Sequence, residues 1–243
     1  MKKIILAFAL SCCPHAAYAG EAGCLYNLKG TVEIKAAAGQ WAPALKGRPV
    51  AEGDAVRTGK GAWCEILFRD GSFIKMDAQS ETAAEELKAG AQERVFSFSF
   101  LRGRALWLAG KVAPGKKSKF QVRTPSAVCA VRGTDFSVDV STSGETTVGL
   151  FEGRLAVSGA GAEKELAAGS EAYAASAGLA VSGRFSRLMA AEKKRYAKVR
   201  NRAQSLRKRL AEREDFIDDY IGRQRKKLSD FESRREEKLR GKK

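Results

Sequence analysis

The chain has 243 residues, with 44 Lys+Arg against 28 Asp+Glu for a formal net charge of +16, five Cys and one His. Its length permits one or two domains, and a hydrophobic content of 44% excludes a chain that is disordered throughout. The lone His15 falls inside a segment read as a cleaved export signal, so the mature chain has no imidazole for Ser-His-Asp or Cys-His chemistry or for a His-ligated metal.

Lys2 and Lys3 precede the apolar run Ile4 to Cys13, and Ala17-Tyr18-Ala19 offers small residues where a signal peptidase reads. This order predicts a signal peptide over 1–19 and a periplasmic or secreted product. The run is too short to span a bilayer, which takes roughly 20 apolar residues. A lipoprotein anchor at Cys12 or Cys13 is the weaker reading, because Cys12 directly precedes Cys13 and Ala9 stands where Leu is preferred ahead of Cys12. Nothing later reaches the length of a membrane span. Cys24, Cys64 and Cys129 remain, enough for one disulfide and one thiol. Cys64 and Cys129 sit in apolar strand-like runs and read as small buried hydrophobes; spacing does not say which pair would bond.

From residue 30 onward the pattern is one of short strands. Gly30 to Lys35 and Phe136 to Val140 alternate apolar and polar residues, and Val95 to Phe100 puts Phe96, Phe98 and Phe100 on one face. Trp63 to Phe68 and Ser72 to Met76 flank Arg69-Asp70-Gly71, a tight-turn signal for a hairpin. Further strands are expected at Gln121 to Arg123, Val128 to Val131, Thr146 to Phe151 and Arg154 to Val157. The connections have no room for crossover helices. The expectation is therefore a mainly β body: a curled antiparallel roll or sandwich, or a β-helix-like coil. A weak internal echo (Gly30-Thr31-Val32-x-Ile34 and Gly153-Arg154-Leu155-x-Val157) fits either form.

A series of motifs in this body resembles the FecR-type periplasmic domain family. Gly30-x-Val32 and Trp41-x-Pro43 resemble the family's entry strand and loop, and the series proper begins with Gly47 and Gly53-Asp54-x-Val56-x-Thr58-Gly59, then Ile66-x-Phe68-x-Asp70-Gly71-Ser72. It continues with Val122-x-Thr124-Pro125-x-Ala127 and Val131-Arg132-Gly133-Thr134-x-Phe136-x-Val138, and closes with Thr147-x-Gly149-x-Phe151-x-Gly153. The likeness runs over about residues 30 to 172, within a β domain bounded at 20–173. Read from the residues alone, Pro125 fixes a corner and holds Thr124 extended. Gly133 allows a bulge or close backbone approach, Thr134 or Asp135 can bond nearby amides, and Arg132 can pair with Asp135 or Asp139 or face a ligand. A turn or strand-bridging role is preferred for this group. The resemblance implies regulation or envelope organisation without catalysis and without a cofactor. Family members relay transporter occupancy through a membrane-spanning segment to a sigma factor. Here a cleavable signal replaces the cytoplasmic region, so exported free-standing FecR-type domains are the nearer comparison.

Composition shifts after an Ala, Ser and Gly stretch, read as a linker over 174–183. The tail 184–243 holds 22 Lys+Arg against 10 Asp+Glu and no Pro. Every seventh residue from Met189 (Tyr196, Ala203, Leu210, Ile217, Gln224, Phe231) is mainly apolar, and the companion series Glu192, Val199, Leu206, Arg213, Tyr220, Lys227, Arg234 is apolar only at Val199, Leu206 and Tyr220. The spacing predicts a long helix with a narrow seam, best between Met189 and Ile221, that packs on the body or pairs as a coiled coil. Lys193, Lys194, Arg195, Arg207, Lys208, Arg209, Arg225, Lys226 and Lys227 are the candidate contacts to an anionic envelope polymer or lipid surface. Nucleic acid is disfavoured as a partner for an exported protein without a stacking motif.

Three functions follow. The first is a non-catalytic envelope module that senses or binds a partner protein, with the tail for homo-oligomers or surface anchoring. The second is a regulator of a membrane protein or sigma-factor pathway. The third is a carboxylate-only enzyme using Asp54, Asp70 or Asp135, disfavoured because these sit in turn-like motifs.

Overall fold

A computed structural model describes residues 22–90, 93–111, 115, 117–131 and 133–240. Residues 1–19, expected to be an export signal, and Lys116 and Arg132 lie outside the described residues. Among the described residues seventeen strands precede two helices: β1 (Gly23–Lys29), β2 (Val32–Lys35), β3 (Ala42–Pro43), β4 (Pro49–Val50), β5 (Ala55–Thr58), β6 (Trp63–Phe68), β7 (Phe73–Met76), β8 (Glu81–Ala89), β9 (Glu93–Leu108), β10 (Lys117–Arg123), β11 (Val128–Val131), β12 (Asp135–Val140), β13 (Thr146–Glu152), β14 (Arg154–Gly159), β15 (Ala162–Ala167), β16 (Glu171–Ala175), β17 (Gly178–Ser182), α1 (Arg187–Glu212) and α2 (Phe216–Arg240).

The strands form two layers that share β9. Its first part pairs with β8 and, in parallel, with β10, and extends a layer ordered β3-β2-β5-β8-β9-β10-β11-β14-β15. Its last part, from Gly103, pairs with β7 and β12 in a layer ordered β4-β1-β6-β7-β9-β12-β13-β16-β17. The strand changes layer where Gly103 adopts φ +87° against Ser80, a position with no space for a Cβ. The sandwich form of the expectation is the one adopted.

Between the layers lies a core that holds Phe96, Phe98 and Phe100 from one side of β9, with Phe68, Phe120, Trp107 and Phe136 around them. Alternation sends the neighbouring residues Leu67, Phe73, Leu106 and Leu108 to the outer face of the second layer, where α1 and α2 cover them. Those strands are apolar on both faces because both faces are buried.

Two expectations are corrected. The stretch 174–183 is not a linker: β16 and β17 form a hairpin on β13, and Ala172 and Ala174 are buried. Backbone pairing closes this edge without large side chains, which is why its composition looked like a connector. The tail is not one helix. Arg213 takes an extended conformation (φ −143°, ψ 107°) and bonds Asp215 and Asp219, while Asp218 and Asp219 occupy the first turn of α2, favourable at a helix N-terminus. The break lets Phe216, Ile217 and Ile221 turn onto the sheet. The seam offered for a coiled coil (Met189, Tyr196, Val199, Ala203, Leu206) is packed on the body.

Cys24, Cys64 and Cys129 are buried and no disulfide joins them. Burial pushes the thiols of Cys64 and Cys129 up to about 12, so both behave as apolar core residues.

Candidate functional site

The Thr-Pro motif builds the β10–β11 turn. Thr124 Oγ1 accepts from the Ala127 amide at 2.9 Å and donates to the Ala127 carbonyl at 3.0 Å, with Pro125 at the corner. Thr146 Oγ1 donates to Thr124 Oγ1 at 2.8 Å, and Ser126 Oγ reaches the Ala174 carbonyl at 2.9 Å, joining this turn to β13 and β16. The residues act as scaffold. Gly133 (φ +62°) precedes Thr134, whose carbonyl accepts from Ala109 at 3.0 Å, and Gly153 packs so tightly on Thr134 that a Cβ would come within 2.6 Å. Phe136 stacks on Trp107 in the core.

The chemistry of the motif residues converges where the sheet meets α1. Asp135 is buried, and Tyr196 donates to its Oδ2 at 2.8 Å. Burial pushes the Asp135 carboxyl above its usual range, against the Tyr196 hydrogen bond and the Arg207 charge. Arg207 donates to three backbone carbonyls: Gly71 at 2.9 Å, and Leu108 and Ala109 at 3.1 Å each. Beneath, Asp70 accepts from the Ser72 amide at 2.8 Å and from the almost fully buried Arg94 at 2.7 Å, and Arg94 also reaches the Gly110 carbonyl at 2.8 Å. A cleft of about 500 Å³ opens between this turn and α1, lined by Arg69, Asp70, Asp135, Glu152, Arg200 and Arg207. Its Asp70 is already engaged by Arg94 and Ser72, as a turn residue is. Asp54, the third carboxylate, accepts from the Ala51 amide at 3.0 Å as a turn bond.

Two further clamps cross the same seam. Glu192 is 1% exposed and accepts from Arg195 at 2.8 Å and Arg104 at 3.4 Å; Arg195 also pairs with Asp77. Burial raises the Glu192 carboxyl against the pull of these two arginines. Glu65, equally buried, meets Arg202 at 2.8 Å and Lys75 at 3.2 Å. Among the candidate surface cations, Arg195 and Arg207 are therefore joined to the body. Lys193 and Lys194 are exposed, with Lys193 over the Phe185 ring at 5.5 Å. Lys208, Arg209, Lys226 and Lys227 are exposed too, and Arg225 and Lys227 line a groove beside α2.

Sequence reasoning missed Arg94, Glu65 and Arg202. One signal was present: Glu192 shares a helix face with Met189, Tyr196, Val199, Ala203 and Leu206, and a carboxylate on a face that is buried must be paired. Among the described residues no group of three or more His, Cys, Asp or Glu is arranged to hold a metal ion, and no helix is long and apolar enough to cross a membrane.

The model of the FecR protein family matches residues 54–156, the span that holds the Asp-Gly, Thr-Pro and Gly-Thr motifs; the likeness read outside it, over 30–53 and 157–172, is not part of that match. No curated relative matches the chain. Similar solved structures include two crystal structures of a protein from Parabacteroides distasonis ATCC 8503 provisionally assigned as an anti-sigma factor. They are 16% and 17% identical, with a TM-score of 0.45 in each case. The matched regions cover 54% of this chain and 59% of those proteins, and nothing functional is transferred from them.

Proposed function

Residues 54–156 being a FecR-type domain, we propose that this chain is a non-catalytic interaction module of the cell envelope, exported by the signal at 1–19, that binds a partner protein. The observation that carries the reading is the use of the motif residues. The side chains of Thr124, Asp70 and Asp135 and the carbonyl of Thr134 are engaged in turns and in the junction between sheet and α1, which leaves surfaces for function. FecR-type domains are regulatory, and this supports a second reading of equal standing: a regulator of a membrane partner or of a sigma-factor pathway.

The tail's basic surface supports attachment to an anionic envelope surface, through Lys193, Lys194, Lys208 and Arg209 on α1 and the outer part of α2. Self-association through the α1 seam is disfavoured, since the sheet occupies it. The test is cross-linking and affinity capture of the tagged full chain in the envelope, with partners identified by mass spectrometry. A specific transporter or membrane regulator as partner supports the signalling form, and an envelope structural protein supports the organising form. A chain that captures no specific protein overturns both.

A further inference from the structure

Helix α2 begins on the body and leaves it. Ile217 and Ile221 are 1% and 3% exposed, but on the same face, at alternating steps of four and three residues, Leu228 is 39% and Phe231 62% exposed, and Leu239 follows at 61%. An apolar stripe that starts under the sheet thus continues into solvent. Facing it is the loop Leu45–Pro49 between β3 and β4. The loop is held to β1 by hydrogen bonds from Gly47 N to Leu25 O (2.8 Å) and from Leu25 N to Arg48 O (2.9 Å). Gly47 (φ +79°) lies so close to the helix that a Cβ there would meet Gln224 at 2.7 Å. The result is a preformed groove of about 500 Å³. Leu45, Pro49, Leu228 and Phe231 supply its apolar surface, Lys46, Arg48, Arg225 and Lys227 its charges, and among the described residues no carboxylate lines it.

We propose that this groove and the outer half of α2 seat the protein on an anionic phospholipid membrane, which rests on and localises the surface attachment proposed above. Leu45, Leu228 and Phe231 enter the acyl boundary, while Lys46, Arg48 and Lys227 meet the phosphates. An apolar stripe flanked by Lys and Arg on a helix that projects from its body is the pattern of an interfacial helix. By helical spacing Asp230 and Glu237 fall on the opposite side from the stripe; Glu232 stands beside it. A second copy is a poor occupant, because its tail would bring further positive charge to a positive rim. An acidic amphipathic peptide has the right charge, but the exposed Leu239 carries the apolar stripe beyond the groove that would hold it.

The test is vesicle flotation of the purified chain from Gly20 to Lys243, with phosphatidylcholine alone or with about 30% phosphatidylglycerol. Binding is expected only with the anionic lipid. The double variant Leu228→Ser/Phe231→Ser and, independently of the helix, Leu45→Ser are each expected to lower partitioning, the double variant by at least about tenfold. Lys46→Glu/Arg48→Glu should abolish it at low salt, and Lys193→Glu/Lys194→Glu on α1 should change it by less than about threefold. The proposal is overturned by equal binding to neutral vesicles or by wild-type binding in the Leu228/Phe231 variant. It is also overturned by an equal loss in the Lys193/Lys194 variant, or by capture of an acidic amphipathic peptide without vesicle binding. Partner capture that survives while vesicle binding fails would remove this seat and leave the interaction module standing.

Discussion

Helix α1 and the outer half of α2 are both rich in Lys and Arg, and both carry an apolar stripe. In α1 the stripe from Tyr196 to Leu206 is buried against Leu67, Phe73, Leu106 and Leu108 while Met189 packs beside Gly149, and Arg195, Arg202 and Arg207 meet acids or carbonyls of the body. Beyond Gly222 the stripe is in solvent, and Lys226 and Lys227 are exposed with it. Equal local composition therefore serves opposite ends: a basic residue is structural where the fold brings it an acid or a buried carbonyl, and available where it does not. The polar pairs of α1 fix its register on an otherwise non-directional apolar contact, because a displaced helix would separate Glu65 from Arg202, Glu192 from Arg104 and Asp135 from Tyr196.

The contrast can be broken most sharply by two truncations. Removing 184–243 uncovers Cys24, Leu67, Phe73, Leu106, Leu108 and Phe151, and is expected to give an aggregating or unfolded product by size exclusion and circular dichroism. Removing only 223–243 should leave a folded monomer with a Tm within about 4 °C of the full chain, a shift equal to roughly 1 kcal/mol or less in a domain of this size. A stable, monodisperse product from the longer truncation would show that α1 is an independent arm.

A smaller effect is expected from Leu206→Ala, which opens a cavity under α1. The expected cost is about 2–5 kcal/mol in a urea titration followed by both sheet and helix signals. Coincident shifts in the two signals mean one cooperative unit; a change confined to the helix signal would separate the regions.

The smallest effect is in pH. Burial raises the Asp135 and Glu192 carboxyls in the folded chain, so the folded state holds their protons more tightly than the unfolded one. Their contribution is full below the ordinary carboxylate value near about 4 and declines as pH rises through their raised values. The lowered carboxyls of Glu33, Glu86 and Asp215 act in the opposite direction, so wild type and variant must be compared. Asp135→Asn, which keeps an acceptor for Tyr196, should flatten the fall in stability over the interval that begins at about pH 4 and runs upward. Parallel curves over that interval would show that Asp135 does not titrate in the way its burial requires.

The amino-acid sequence by itself determined the local geometry. Period-two runs became β2, β12 and the first part of β9, the runs on either side of Asp70-Gly71 became β6 and β7 with Gly71 at φ +78° in the turn, and Phe96, Phe98 and Phe100 became one face of the core. The seam from Met189 to Leu206 was legible in the same way, since side-chain direction follows from residue spacing alone. Continuous apolar runs at Ile66-Leu67-Phe68 and Leu106-Trp107-Leu108 even carried a sign that a second cover was needed. Only the tertiary structure decided what that cover was, that β9 serves both layers, and that 174–183 pairs as strands. It alone separated Arg195 and Arg207, which bind the body, from Lys227, which lines an open groove. The physical reason is distance along the chain. Arg207 meets Gly71 and Tyr220 meets the Tyr26 carbonyl across separations that no local pattern encodes, and the state of each charge depends on which groups the fold brings to it.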